Sequence, residues 1–120
     1  DSPSLENVQT LLEETIALAA AGGLDPLQNL QSHTVYLFSG TIDTVVPQQN
    51  MINVQSMYKA LNVSRVTSFF NYSAEHAWVT SAYGDACSFL GKPYLNNCNI
   101  DFGGKFMAAA FANMGLAWNP

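Results

Sequence analysis

Asp43 and His76 are the two side chains of this sequence whose types and positions are typical of acid–base chemistry. Asp43 stands just past the apolar run 35–38, and His76 follows 33 residues later, just after a second β-favouring run. A carboxylate beside an imidazole orients the ring and stabilises its protonated form, which suits a general base. Each residue also has a plain structural interpretation, because an Asp after a strand often caps a turn and an isolated His often only packs.

The segments around this pair predict a strand, a helix and a second strand, followed by a loop. Their bounds are strand 34–39, helix 48–61, strand 65–71 and loop 72–78. Because such crossovers are right-handed and join parallel strands, both strands end at the same edge of the sheet. Asp43 and His76 are therefore predicted to lie side by side, whereas His33 lies at the opposite end of the first strand.

The rest of the chain predicts an incomplete sheet. Apolar periodicity indicates two further helices, over 4–21 and 104–114, and the segment 87–98 is expected to be a loop. Two strands and three helices cannot cover both faces of a parallel sheet and also protect both of its edges. The expected fold class is therefore α/β, with parallel strands and flanking helices, as part of one domain whose sheet is completed by a preceding segment or a second chain.

Composition excludes several classes of function. The net charge is -5 and the four basic residues are scattered, so a phosphate-binding surface is absent and nucleic acid is not expected as a partner. No apolar run approaches the roughly 20 residues that span a bilayer. No second cysteine pair or histidine cluster supports a metal site, and neither a metal nor a cofactor is expected.

Cys87 and Cys98 lie 11 residues apart in a segment rich in Gly, Pro and Asn, which is more typical of a small disulfide-closed loop than of a metal site. Two N-glycosylation patterns begin at Asn62 and Asn71. Asn62 is the better candidate, because a glycan on Asn71 would crowd the loop that carries His76. These features predict an oxidising compartment, either outside the cell or in the lumen of the secretory or endolysosomal pathway.

The order of Asp43 before His76 matches the last two members of the Ser, Asp, His order of α/β-hydrolases. Over residues 24–115 the sequence resembles the C-terminal half of an extracellular polyhydroxybutyrate depolymerase of that superfamily. Many α/β-hydrolases share the strand with its Asp, and the later segments make the resemblance more specific. The matching segments are DPL (25–27), NL (29–30), VYLFSGTIDTVV (35–46), EHAW (75–78), YGDAC (83–87) and PYLNNC (93–98), followed by Asp101.

The resemblance implies a role for each matching residue. It makes Asp43 the acid of a Ser-His-Asp triad and His76 its general base, and it pairs Cys87 with Cys98 in a disulfide. Trp78 would lie near the mouth of the site, where contact with an apolar polyester chain and simple packing are both open. The implied activity is serine esterolysis on an ester or polyester substrate.

One part of the family pattern is missing. The sequence contains no G-x-S-x-G motif, so the nucleophilic serine and the oxyanion hole are expected on the segment that precedes residue 1 or on a second chain. The chain is therefore expected to act as a carboxylic ester hydrolase only when combined with the nucleophile-bearing half. The alternative is a noncatalytic secreted glycoprotein of the same fold, with a binding or structural role.

Overall fold

The computed structural model describes residues 5–118, and the first residue of the helix predicted over 4–21 lies outside them. Within the described residues the chain forms helices, strands and one short 3-10 helix. The helices are α1 Leu5–Ala20, α2 Gln48–Ala60 and α3 Phe102–Asn113, with the 3-10 helix at Leu27–Ser32. The strands are β1 Thr34–Phe38, β2 Arg65–Phe69, β3 Trp78–Thr80, β4 Asp85–Ala86 and β5 Leu95–Asn97.

The helices and the two longer strands begin and end within two residues of their predicted bounds, and α2, β1 and β2 begin at the predicted residue. α3 begins at Phe102 rather than at residue 104, because Asp101 caps it and accepts the N–H of Gly104 on Oδ1 at 2.8 Å. The short strand β5 lies inside the predicted loop 87–98, whereas β3 and β4 lie mostly in residues 79–86, for which no element was predicted. Two or three residues are too few to show an alternating pattern in a sequence.

The described residues fall into two compact units that alternate along the chain. The first unit contains the residues up to Leu37 together with Gln49–Ser68, which include α1, almost all of α2 and most of β1 and β2. β1 and β2 pair as a two-stranded sheet. Gln55 of α2 donates from Nε2 to Oγ of Ser68 in β2 at 2.6 Å, which ties this helix to the second strand.

The second unit contains Phe38–Gln48 and the described residues from Phe69 onward. It holds a three-stranded sheet in the order β3-β5-β4, in which the central strand runs parallel to both neighbours. Val79 of β3 and Asp85 of β4 both pair with Asn96 of β5. Val79 and Asn96 are 2% and 0% exposed, so the central pair of β3 and β5 is buried.

Asn96 and a disulfide together hold the segment around β5. The Asn96 side chain is fully buried, and its Nδ2 donates to the carbonyls of Cys87 and Phe89 at 3.2 and 2.7 Å. The predicted disulfide between Cys87 and Cys98 is present, with Cα atoms 4.7 Å apart. The N–H of Cys98 donates to the carbonyl of Thr80 at 3.0 Å, which attaches the end of β5 to β3.

Phe102, at the start of α3, is the centre of an aromatic cluster in the second unit. Its ring lies edge-on to Phe38, Phe69 and Trp78, with centroid distances of 5.6, 5.7 and 5.6 Å. Phe38 and Phe69 are the last residues of β1 and β2, and Trp78 is the first residue of β3. The first residue of α3 therefore packs against the ends of β1 and β2 and the start of β3.

The architecture combines helices with parallel strands, which is compatible with the predicted α/β class. The parallel pairs that define it are those of β5 with β3 and with β4, none of which was predicted as a strand. Among the described residues, no helix combines the length and the apolar character needed to cross a bilayer.

Candidate active site

Two loops of the second unit form the site. The Asp loop, residues 39–46, follows β1, and the His loop, residues 72–78, follows β2. The N–H of Thr41 donates to the carbonyl of Tyr72 at 2.8 Å, so the loops share a backbone hydrogen bond. The structure thus places the two loops side by side.

Gln48 and Gly40 allow this close approach. Gln48 donates from Nε2 to the carbonyls of Ser39 and Phe70 at 3.0 and 2.9 Å, so a single side-chain amide holds the chain just after both strands. A Cβ at Gly40 would overlap the backbone carbonyl of Ala74. Glycine is required there because the backbones of the two loops are in direct contact.

Asp43 uses its two carboxylate oxygens for two different tasks. Oδ1 accepts the N–H groups of Val45 and Val46 at 2.9 and 2.8 Å, which are the turn contacts favoured by an Asp after a strand. Oδ2 lies 3.1 Å from Nδ1 of His76. The Asp43 side chain is 9% exposed, so these contacts replace most of its water. Asp43 therefore caps a turn and faces an imidazole at the same time.

His76 presents one ring nitrogen to Asp43 and keeps its ring accessible. With Nδ1–H as the donor to Oδ2, the neutral ring carries its lone pair on Nε2, the form that accepts a proton from a substrate or nucleophile. The side chain is 44% exposed, so a reactant reaches the ring from solvent. The pair has the geometry of a general base oriented by a carboxylate.

Glu75, which the sequence analysis did not single out, is the third polar group of the site. The residue is 8% exposed. Its Oε1 accepts the hydroxyl of Thr44 at 2.8 Å, and its Oε2 accepts the N–H groups of Thr44 and His76 at 3.1 and 3.0 Å. The carboxylate therefore bridges the two loops beside the Asp43–His76 contact. Its place directly before His76 in the EHAW segment is the sequence signal that points to it.

These donors favour the ionised form of Glu75. The N–H of Thr44 is the main cause that lowers the pKa of Glu75 below its ordinary value of 4.5, and the Thr44 hydroxyl and the His76 N–H add to this effect. Burial of the side chain and the charge of Asp43 act in the opposite direction. The balance keeps Glu75 a carboxylate, which can accept all three hydrogen bonds.

The disulfide-bonded segment, residues 87–98, supports the His loop on both sides of His76. The N–H of Glu75 donates to the carbonyl of Cys87 at 2.9 Å, and the N–H of Trp78 donates to the carbonyl of Tyr94 at 2.8 Å. Cys87 is itself a disulfide partner, so the His loop is attached directly to a cross-linked part of the chain. The position of the imidazole therefore depends on a segment that follows it in sequence.

An open cavity of about 460 Å³ adjoins His76. Its lining residues are His76, Val45, Ala77, Trp78 and Tyr94. Trp78 is 53% exposed even though its ring packs on the aromatic cluster, so it serves both as a packing residue and as a cavity wall. The two interpretations of Trp78 that the sequence left open are therefore compatible with each other.

The polar groups of the site bond to one another and to nearby backbone and hydroxyl groups. In residues 5–118 no group of three or more His, Cys, Asp or Glu side chains is placed to hold one. Glu75 lies near Asp43 and His76, but its oxygens accept bonds from backbone and hydroxyl donors. The arrangement offers a carboxylate-oriented imidazole beside an apolar cavity.

Comparison with known proteins bears on the resemblance found in the sequence. Over 114 residues, which make up 94% of this chain, the sequence is 38% identical to the poly(3-hydroxybutyrate) depolymerase of Delftia acidovorans. The chain is similar to a poly(3-hydroxybutyrate) depolymerase. The resemblance predicted from the matching segments is confirmed.

The similarity covers a large share of this chain and a small share of the depolymerase. The chain spans 23% of the length of the depolymerase, although nearly all of the chain takes part. No family model matches the chain, and no solved structure matches it. The comparison therefore concerns a limited part of the depolymerase.

Tyr94 is a second residue that the sequence analysis missed, and it lies in the PYLNNC segment that resembles the depolymerases. Its φ of 60° is uncommon for a residue with a side chain, and its N–H donates to the carbonyl of Gly91 at 2.8 Å. This local turn accompanies the placement of Tyr94 beside Trp78 on the cavity wall. The sequence signal was the PYLNNC segment itself.

The asparagines of the two N-glycosylation patterns, Asn62 and Asn71, are both exposed. Asn71 lies between Phe70 and Tyr72, whose carbonyls accept the hydrogen bonds that hold the ends of the site together. A glycan at Asn71 would therefore begin next to these contacts, which agrees with the preference for Asn62. Glycosylation stays a prediction at both positions.

Proposed function

We propose that this chain supplies the acid and the base of a Ser-His-Asp triad in a serine esterase of the polyester depolymerase type. Asp43 is the acid and His76 is the general base. The observation that carries the proposal is the 3.1 Å contact between Asp43 Oδ2 and His76 Nδ1, made while two backbone N–H groups hold Oδ1. The similarity to a poly(3-hydroxybutyrate) depolymerase supports the substrate class.

The proposal assigns the nucleophile to a different part of the protein. The sequence contains no G-x-S-x-G motif, and the chain spans 23% of the length of the relative. We therefore assign residues 1–120 to the C-terminal half of one α/β-hydrolase domain. A preceding segment or a second chain completes the sheet and contributes the serine and the oxyanion hole.

The proposed reaction forms and then hydrolyses an acyl-enzyme. The serine Oγ attacks the ester carbonyl carbon while Nε2 of His76 takes the serine proton, and Asp43 stabilises the imidazolium. Nε2 then returns the proton to the departing alkoxide, and an alcohol leaves. Water attacks the acyl carbonyl in the same way: Nε2 takes a water proton and gives it to serine Oγ, and a carboxylic acid leaves.

The cavity beside His76 supports an uncharged, apolar ester as the substrate. Val45, Trp78 and Tyr94 line this cavity together with His76, and most of its wall is apolar. An aliphatic polyester presents methyl and methylene groups next to its ester carbonyls, so it places apolar surface against such a wall. Trp78 would contact the chain near the bond that is cleaved.

The proposed location is outside the cell or in the lumen of the secretory or endolysosomal pathway. The Cys87–Cys98 disulfide supports an oxidising compartment. The exposed sequons at Asn62 and Asn71 agree with passage through that pathway. Digestion with an N-glycosidase, followed by mass measurement, tests each site.

Active-site labelling tests the proposed function. The native protein is purified, its chains are identified by intact mass and peptide mapping, and it is treated with a fluorophosphonate. We expect a labelled serine in a G-x-S-x-G motif, loss of labelling in His76→Ala, and retained labelling in His33→Ala, the matched control. Native protein that contains no labelled serine would contradict the proposal and favour a noncatalytic glycoprotein.

A further inference from the structure

Glu75 places its carboxylate between the Asp loop and the His loop. Its hydrogen-bond donors are the N–H and hydroxyl of Thr44 and the N–H of His76. Thr44 is the residue after Asp43, so two of the three donors lie next to the acid in sequence. The third donor is the backbone N–H of the base, His76. The three bonds therefore flank the contact between Asp43 and His76.

The buried position of Glu75 makes these bonds difficult to replace. Because the residue is 8% exposed, donors that lost the carboxylate would find little water in its place. A buried N–H group without an acceptor is costly, and the backbone would move to find one. Loss of the Glu75 carboxylate should thus shift Thr44 and His76 relative to each other.

Glu75 is also held from its other side. Its N–H donates to the carbonyl of Cys87 at 2.9 Å, and Cys87 is disulfide-bonded to Cys98. The residue therefore connects a covalently cross-linked segment to the backbone on both sides of the Asp43–His76 contact.

We propose that Glu75 is a positioning residue, whose hydrogen bonds to Thr44 and His76 set the distance and angle between the Asp43 carboxylate and the His76 imidazole. The hydrogen bonds rather than the negative charge carry this effect, because they hold the backbone of both loops. The expected effect of Glu75 on the reaction rate rests on the proposed function. The expected effect of Glu75 on the hydrogen bond between Asp43 and His76 is independent of that function.

Four variants test this role in the protein as purified, together with any companion segment. Glu75→Ala removes every acceptor, whereas Glu75→Gln keeps an oxygen for the N–H groups and offers an NH₂ to the Thr44 hydroxyl. Thr44→Val removes one donor. Asp101→Ala is the matched control, since Asp101 is another carboxylate that accepts a backbone N–H in the second unit.

The first readout is the Nδ1 proton of His76 in a ¹⁵N-edited NMR spectrum, assigned by its loss in His76→Gln. The second is kcat and KM on a water-soluble ester. In Glu75→Ala we expect loss of the Nδ1 signal and a fall in kcat of about 10- to 100-fold, with KM changed less than about twofold. Glu75→Gln should recover the signal and most of kcat, Thr44→Val should fall between, and Asp101→Ala should match the parent protein.

Three results would overturn the proposal: a parent-like Nδ1 signal in Glu75→Ala, equal damage in Glu75→Gln and Glu75→Ala, or the same loss in Asp101→Ala. If Glu75→Ala does not fold, Thr44→Val decides, and a parent-like signal and kcat in that variant would overturn it. Failure to find a reactive serine would defeat the proposed function instead. The NMR comparison of Glu75→Ala with Glu75→Gln would still test the positioning role.

Discussion

The two loops of the site are fixed by different means. In the Asp loop, Asp43 accepts N–H groups of residues two and three positions further along, so the carboxylate is held by its own turn. In the His loop, His76 is placed by Glu75, which binds Thr44, 31 residues away, and donates to the carbonyl of Cys87. The acid is therefore set by local sequence, and the base by contacts between distant segments.

Because of this difference, the position of His76 is more easily disturbed than that of Asp43. A change in the disulfide-bonded segment reaches the imidazole through the backbone of Glu75 and Trp78. The same change leaves the turn contacts of Asp43 in place, because these need only Val45 and Val46. Separate substitutions can therefore test three things: the acid–base role of Asp43 and His76, the support of the His loop by the disulfide-bonded segment, and the close packing of the two loops.

The largest effect is expected from Asp43→Asn. The amide oxygen can still accept the N–H groups of Val45 and Val46, but the NH₂ group that replaces Oδ2 would face Nδ1 of His76 and favour the wrong imidazole tautomer. We expect kcat for ester hydrolysis to fall about 10⁴-fold, with stability changed by less than about 1 kcal/mol. Kinetics and thermal unfolding of the complete protein measure both.

Asp25→Asn is the control for this substitution, because Asp25 is an exposed aspartate in the first unit. It should leave kcat at the parent value. If Asp43→Asn also kept the parent rate, the contact between Asp43 and His76 would have no part in the chemistry, and the local turn would be the whole role of Asp43.

Removal of the disulfide should affect the two loops unequally. With Cys87→Ala and Cys98→Ala together, we expect a loss of roughly 2 to 4 kcal/mol in the free energy of unfolding, because the unfolded chain gains freedom. Urea unfolding measures this loss. Hydrogen exchange should show faster exchange at the Glu75 N–H than in the parent, and little change at Val45 and Val46. Two free thiols in the non-reduced native protein would contradict the pairing.

Gly40→Ala tests the close approach of the two loops. Its Cβ would overlap the carbonyl of Ala74, so we expect a loss of roughly 1 to 3 kcal/mol in stability. Gly103→Ala is the control: its Cβ would lie 3.7 Å from Trp78 Cζ2, an ordinary contact, and alanine should add up to about 1 kcal/mol within α3. Equal stability of both variants in thermal unfolding would argue against backbone contact between the loops.

The longer elements were predictable because the helices show their period over enough residues and the two strands are β-favouring runs. α1, α2 and the strands β1 and β2 lie within two residues of the predicted bounds. β3, β4 and β5 were not predicted, since parallel pairing between segments of two or three residues depends on where the chain folds back. Local sequence patterns do not show where the chain folds back.

The contact between Asp43 and His76 was predictable to the same extent, while their catalytic roles stay a prediction. Asp43 and His76 were found because each follows a β-favouring run, a position that can be seen in the sequence. Glu75 and Tyr94 lie in the EHAW and PYLNNC segments, but their roles were missed because these come from contacts with Thr44 and with the cavity, which the segments do not reveal. Long-range positioning is therefore the part of the site that required the structure.

The smallest effect is expected from protonation of the Glu75 carboxylate, whose hydrogen bonds join the Asp loop to the His loop. The donors from Thr44, and to a lesser degree His76, lower the pKa of Glu75 in the folded state below its ordinary value of 4.5, although the nearby charge of Asp43 opposes them. A carboxyl group with a lowered folded pKa stabilises the protein fully above its unfolded pKa. That contribution should disappear as the pH falls from about 4.5 through the folded pKa.

Glu75→Gln removes this titration while it keeps acceptor capacity, so its unfolding free energy should fall less steeply than that of the parent protein below pH 4.5. Urea unfolding of both proteins between about pH 6 and pH 3 measures the two slopes. Parallel slopes would mean that protonation of Glu75 does not weaken the bridge. The His loop would then depend chiefly on its backbone bonds to the disulfide-bonded segment.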